Sequence, residues 1–169
     1  PAELRLMAVI AREHGLYLIC DEVYREFIYD GAEPATAGSF RDIGENLILI
    51  DSVSKRFSAC GARIGALISR NRGIMQGALK LAQARLSVAT LDQLGAAALY
   101  GVDPGYFDAT RNEYRRRRDT CYRKLLEIPG IVTTEPQGAF YTMAKLPVDS
   151  AERFQLYLLQ KFEDHGETV

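Results

Sequence analysis

Leu47-Ile48-Leu49-Ile50-Asp51-Ser52-Val53-Ser54-Lys55 is the stretch on which the fold turns. Four consecutive apolar residues, of strand length, give way at once to an acid, two hydroxyls and a lysine. An apolar run without alternation suits a strand covered on both faces, as in a parallel sheet. Leu16-Tyr17-Leu18-Ile19-Cys20 ends in the same way at Asp21, with Glu22, Val23 and Tyr24 following. Ahead of it, Leu4, Met7, Ala8 and Ala11 recur at helical spacing. They predict a helix over residues 2–14, stopped by Gly15 in the left-handed conformation. Arg63 to Ser69 predicts a third strand. A helix followed by apolar strands predicts an α/β chain, with a mostly parallel sheet and flanking helices.

Beyond Ser69 the pattern turns helical, with Leu79, Leu81 and Leu86 in a helix-rich stretch. Thr90-Leu91-Asp92-Gln93 has the form of a capping box opening a further helix. Asp103-Pro104 predicts another start, Asp as N-cap and Pro at the first helical position, of a long charged helix reaching Glu127. Pro129-Gly130 ends it. Strands are expected over Ile131–Thr134 and Ala139–Ala144, around the turn Pro136-Gln137-Gly138. A last helix, roughly residues 150–165, carries Phe154, Leu158 and Phe162 on one stripe. A domain change is placed near Gly101 to Arg111, giving residues 1–105 and 106–169, the second a small α+β domain. Pro1 stands where an initiator Met would, and Gly166-Glu167-Thr168-Val169 reads as the start of a strand that is cut off. The chain is therefore expected to be a piece of a longer protein.

Of the 169 residues, 47% are hydrophobic and 25% charged, an ordinary globular composition. A net charge of −1 gives no general attraction to nucleic acid or anionic lipid. No apolar stretch approaches the roughly 20 residues needed to span a bilayer. The three cysteines, Cys20, Cys60 and Cys121, form no CxxC, and reduced thiols in the cytoplasm are expected. Arg115-Arg116-Arg117-Arg118 is interleaved with Glu113, Asp119 and Glu127. It reads as a solvated helix whose aliphatic stems cover a neighbour, not as a nucleic-acid patch. His14 and His165 each precede a glycine at an expected helix end, where a cation complements the helix dipole, and no metal site is expected.

The two strand ends are where the chemistry gathers, because ligands of open α/β sheets collect beyond the carboxyl ends of strands. Together they offer a carboxylate (Asp21), a phenol (Tyr24), two hydroxyls (Ser52, Ser54), an amine (Lys55) and a guanidinium (Arg63). Taken singly these have plain readings: Lys55 as a surface lysine, Asp21 as a strand-end turn residue, the serines as turn formers, Arg63 as an ion-pair residue.

Taken in order, Asp-x-x-Tyr after an apolar strand, then Ser-x-Ser-Lys, then Arg63 eight residues past Lys55, resembles the signature of class I/II, fold-type I aminotransferases dependent on pyridoxal 5'-phosphate. Gln137-Gly138-Ala139-Phe140-Tyr141 extends the resemblance, which covers nearly the whole chain. It implies that Lys55 forms an imine with the cofactor aldehyde and shuttles a proton from substrate Cα. Asp21 would keep the pyridine nitrogen protonated, so that the ring acts as an electron sink. Tyr24 would face the ring hydroxyl, and Ser52, Arg63 and Ser54 would hold the phosphate. The chain departs from many relatives in carrying Cys60-Gly61-Ala62 where they have a bulky aromatic before the phosphate arginine. It also lacks the family's upstream phosphate loop, ring-stacking aromatic and Asn, and its downstream carboxylate-binding arginine; Arg153, in mid-helix, is no substitute.

The resemblance implies an aspartate-type aminotransferase using a 2-oxo acid such as 2-oxoglutarate, a homodimer when whole, with this chain alone inactive. A β-lyase or decarboxylase on the same scaffold would show the same residues, and so would a non-catalytic sensor domain of a transcription regulator.

Overall fold

In the computed structural model, which describes residues 2–32 and 34–168, the first helix, α1, runs Ala2–Glu13. It buries Ala8 and Ala11 and ends at Gly15, whose φ is +61°. Met7, placed on the buried stripe by spacing, is instead exposed. Strands β1 (Leu18–Asp21), β2 (Leu47–Ser52) and β3 (Gly65–Ser69) form one sheet in the order β1-β2-β3. β1 and β2 are parallel, with Asp21 opposite Ile50. β3 is antiparallel to β2, with Ser52 opposite Gly65.

That antiparallel pair corrects the expectation of a mostly parallel sheet. The link from Ser52 to Gly65 holds only a one-turn helix, α2 (Val53–Arg56), and a 3-10 turn at Cys60–Ala62. A parallel return needs a crossover, usually a helix long enough to recross the sheet. Here the chain reverses at Arg63, which has a left-handed φ of +55° and is not part of the strand. Coverage of both faces is also not seen. Leu18, Cys20, Leu47 and Leu49 pack with Ala8, Ala37, Ile43 and Phe40, whereas on the opposite face Ile19 is 64% and Leu67 38% exposed.

A second core holds α2 in place. Val53 and Phe57, one turn apart, are buried with Ala96 of helix α4 (Thr90–Leu99), beside Ile64, Leu99 and Phe107. Between β3 and α4 lies α3 (Arg72–Ala84), capped by the Asn71 side chain, which accepts from the Ile74 amide at 3.1 Å. The capping box expected at Thr90 does not form. The helix starts one residue sooner, with Ala89 as N-cap, so Gln93 falls past the reciprocal position and donates to the Val88 carbonyl at 2.7 Å. Asp103 behaves as expected, accepting from the Gly105 amide at 2.7 Å at the head of α5 (Gly105–Leu126).

The described chain divides into two units, Pro1–Arg115 with Gln137–Phe140, and Arg116–Pro136 with Tyr141–Val169. The sequence placed the change after residue 105; the division lies inside α5. In the second unit β4 (Val132–Thr133) pairs antiparallel with β5 (Ala144–Lys145), and α6 (Ala151–Gln160) is capped by Ser150. Phe154 and Leu158 of α6 and Phe162 beyond it are half-buried, the others around them exposed. The strand expected over Ala139–Ala144 is mostly absent. Ala139 has a φ of +57°, and the preceding residues pair with the first unit's own chain: Tyr29 N–H donates to Gln137 O and Ala139 N–H to Phe27 O. Arg118 is also not solvated as expected; its side chain is 8% exposed and donates to the Pro136 carbonyl at 2.8 Å. Among the described residues no helix is long and apolar enough to cross a membrane.

Candidate functional site

The parallel register of β1 and β2 brings their carboxyl ends side by side. The Glu22 amide donates to the Ile50 carbonyl at 2.9 Å, continuing the ladder just past Asp21. Asp21 is exposed, and its Oδ1 accepts from the Val23 amide at 3.1 Å, which fixes the carboxylate against its own loop.

At the end of β2, Ser52 is the N-cap of α2 and accepts from the Ser54 amide at 3.0 Å. Its Oγ lies 2.9 Å from the Ile64 carbonyl and 2.8 Å from Ser54 Oγ. A carbonyl can only accept, so the one Ser52 hydroxyl proton goes to Ile64 and Ser54 donates to Ser52. Ser52 thereby grips the residue next to Arg63, and the Val53 amide shares that carbonyl at 3.3 Å. Arg63 is exposed, with Nη1 donating to the Cys60 carbonyl at 3.0 Å.

Helical geometry sorts the single turn of α2. Val53, Arg56 and Phe57 face inward and are buried, which turns Ser54 and Lys55 to the half-buried side. Lys55 Nζ lies 5.7 Å above the centre of the Phe140 ring, within cation–π range. Tyr24 meets the same ring edge-on at 4.9 Å, and Tyr114 stacks on it at 5.0 Å. The structure thus brings Tyr24 and Lys55 to one aromatic surface, and Ser52 and Ser54 into direct contact. It puts Asp21 at the neighbouring strand end and Arg63 at the far end of the loop that Ser52 ties down.

Two features escaped the sequence. Phe140 was visible only as part of a motif, since its contacts with Lys55 and Tyr24 span a separation that no local pattern encodes. The second is a charged cluster behind α2. Arg56, 7% exposed, has Nη2 at 2.9 Å from Asp51 Oδ2, which Arg25 Nη2 also reaches at 3.0 Å. Arg56 Nε is 3.4 Å from Glu26 Oε1, an ion contact without hydrogen-bond alignment. A signal was available in the acidic and basic residues at positions 22, 25, 26, 51 and 56, but not their pairing. Burial first, and Glu22 second, push the Cys20 thiol above its ordinary range, keeping it protonated. Arg153 pairs with Asp149, which lies just ahead of the Ser150 cap of α6.

The profile of the family described as aminotransferase class I and II matches residues 1–163. Aspartate aminotransferase of Bacillus subtilis is 32% identical over 82% of this chain and 36% of its own length. Aspartate aminotransferase of Pyrococcus horikoshii is 30% identical over 93% of this chain and 41% of its own. Among solved structures, N-succinyldiaminopimelate aminotransferase from Mycobacterium tuberculosis superposes with a TM-score of 0.82 at 28% identity, over 95% of this chain and 42% of that one. The chain spans about two fifths of the length of these relatives.

Proposed function

Because this chain belongs to the class I and II aminotransferase family, we propose that it carries the lysine-bearing part of a pyridoxal 5'-phosphate site, in a protein that moves an amino group from an L-amino acid to a 2-oxo acid. The observation that carries the reading is the meeting of Lys55 and Tyr24 on the Phe140 ring, beside the paired ends of β1 and β2. The donor set suits this cofactor: one primary amine for the aldehyde, one carboxylate for the ring nitrogen, a phenol for the ring hydroxyl, and two hydroxyls with a guanidinium for the phosphate.

When bound, the cofactor supplies an electron sink that stabilises negative charge at the substrate Cα. Lys55 would hold it through its side-chain amine, and the same amine, when free, would be the group that moves the proton at the substrate Cα. Asp21 keeps the pyridine nitrogen protonated, its own orientation held by the Val23 amide. Tyr24 orients the ring hydroxyl. Arg63 would bind phosphate directly; Ser52 and Ser54 would join it by exchanging their bonds to the Ile64 carbonyl and to Ser52. Phe140 shields one side of Lys55 from water.

Aspartate is the proposed amino donor, since relatives 32% and 30% identical to this chain over the aligned stretch are named aspartate aminotransferases; 2-oxoglutarate is proposed as the acceptor on the family resemblance. The remaining expectations follow the family: a homodimer when whole, with residues 116–136 and 141–169 contributing to a small α+β domain. The whole protein, assayed with a panel of L-amino acids and 2-oxo acids, should transfer amino groups, with aspartate among the best donors. Lys55→Ala should lose transfer by at least about a thousandfold. Turnover of the panel solely by elimination or decarboxylation would overturn the transfer reading.

A further inference from the structure

The charged cluster behind α2 joins the two halves of the site, and nothing in the proposed reaction uses it. One half is the segment after β1, where Asp21 and Tyr24 lie among Glu22, Arg25 and Glu26. The other is the turn at the end of β2, where Asp51 and Arg56 bracket Ser52, Ser54 and Lys55. Asp51 Oδ1 accepts from the Ser52 amide at 2.8 Å, while Oδ2 receives Arg56 at 2.9 Å and Arg25 at 3.0 Å. Arg56 reaches on to Glu26 at 3.4 Å, and Arg25 lies 3.8 Å from Glu22. Glu22 is itself anchored, accepting from Thr36 Oγ1 and the Ala37 amide, both at 2.9 Å.

A one-turn helix has little stability of its own. Between the buried Val53 and Phe57, an apolar side chain at position 56 would fill the same volume without the desolvation cost of a guanidinium. What the guanidinium adds is direction: a planar fork that touches Asp51 on its own turn and Glu26 on the other segment. We infer that Arg56 and Asp51 are positioning residues, which set the place of Lys55 relative to Asp21 and Tyr24 by tying the end of β2 to the segment after β1. This rests on Lys55 being the cofactor lysine. An amine held in place reacts faster than one that must search, and orientation of this kind is worth roughly ten- to a hundredfold at a single group.

The test uses the apo form of the whole protein mixed with pyridoxal 5'-phosphate, following the absorbance of the lysine-bound cofactor by stopped flow. Arg56→Lys keeps the charge and loses the fork. It should slow bond formation at least about tenfold, with the apo melting temperature within about 3 °C of the parent. The neutral double variant Asp51→Asn/Arg56→Gln, free of an orphaned buried charge, should be slowed to a similar degree and serves where the single variant melts early. A parent-like rate in a variant with parent-like melting overturns the inference, as does unfolding of both variants, which would make the cluster a stability element alone. Lys55→Ala is run beside them. If the band still forms there, the assignment of Lys55 fails and the inference falls with it; a band lost in Lys55→Ala beside parent-like rates in the Arg56 variants overturns the inference alone.

Discussion

Ser52→Ala separates the structural from the ligand-binding work of one hydroxyl. The Ser52 side chain caps α2 through the Ser54 amide at 3.0 Å and holds the Ile64 carbonyl at 2.9 Å. Loss of a serine N-cap costs about 1 kcal/mol, within a range of about 0.5–2. Loss of the second bond costs about 0.5–1 kcal/mol. The lower figure applies because the Ile64 carbonyl keeps the Val53 amide at 3.3 Å. The sum is about 1.5 kcal/mol, or a fall in melting temperature of about 3–6 °C for a chain of this size. Thermal unfolding and urea titration of the apo protein measure it. Ser52→Thr, which keeps the oxygen, should stay within about 0.5 kcal/mol of the parent. A loss in Ser52→Ala below about 0.5 kcal/mol would refute the reasoning, since the cap and the Ile64 bond would then contribute nothing. Phosphate binding gives the complementary reading. With its only proton committed to Ile64, Ser52 should matter less than Arg63, so Arg63→Gln should weaken cofactor binding more than Ser52→Ala does.

Two further outcomes follow from other parts of the molecule. Hydrogen bonds from Arg5, at 2.7 and 2.8 Å, and the nearby charges of Arg5 and Arg12 hold the Asp42 carboxyl below its ordinary value. A depressed folded value stabilises the fold above the unfolded pKa, near 3.9, and that stabilisation is lost as pH falls through the folded one. The urea midpoints of parent and Asp42→Asn should therefore differ at pH 7 and converge below about pH 4; a constant difference across that interval would refute the linkage. At Gly138 an added Cβ would sit 3.0 Å from the Phe27 carbonyl oxygen, across the bridge to Ile28. Gly138→Ala should cost about 1–3 kcal/mol by urea titration, and an unchanged midpoint would show that the bridge can open without loss.

What the sequence made legible is what local pattern encodes. The apolar runs ending at Asp21 and Ser52 are strands because no polar residue interrupts them, and Gly15 and Asp103 end and begin helices by short-range rules. The direction of β3 was not legible, because it depends on the one-turn length of α2 and the reversal at Arg63, not on the strand's own residues. The expected strand after Gly138 failed for a related reason. Ala139 adopts a left-handed backbone, and its amide bonds to a carbonyl of distant sequence. In the site, residue types at fixed spacing pointed to Asp21, Tyr24, Ser52, Ser54, Lys55 and Arg63. The ring that Lys55 and Tyr24 share, and the Arg56–Asp51 pairing behind them, exist only once the chain is folded.

The most direct test of the central claim is where the cofactor becomes attached. The whole protein is saturated with pyridoxal 5'-phosphate, reduced with borohydride, digested, and read by peptide mass spectrometry. The account predicts the reduced cofactor on the peptide containing Lys55, at close to one per chain, and none on any other lysine. A label spread over the surface lysines, or concentrated on one other than Lys55, would contradict it.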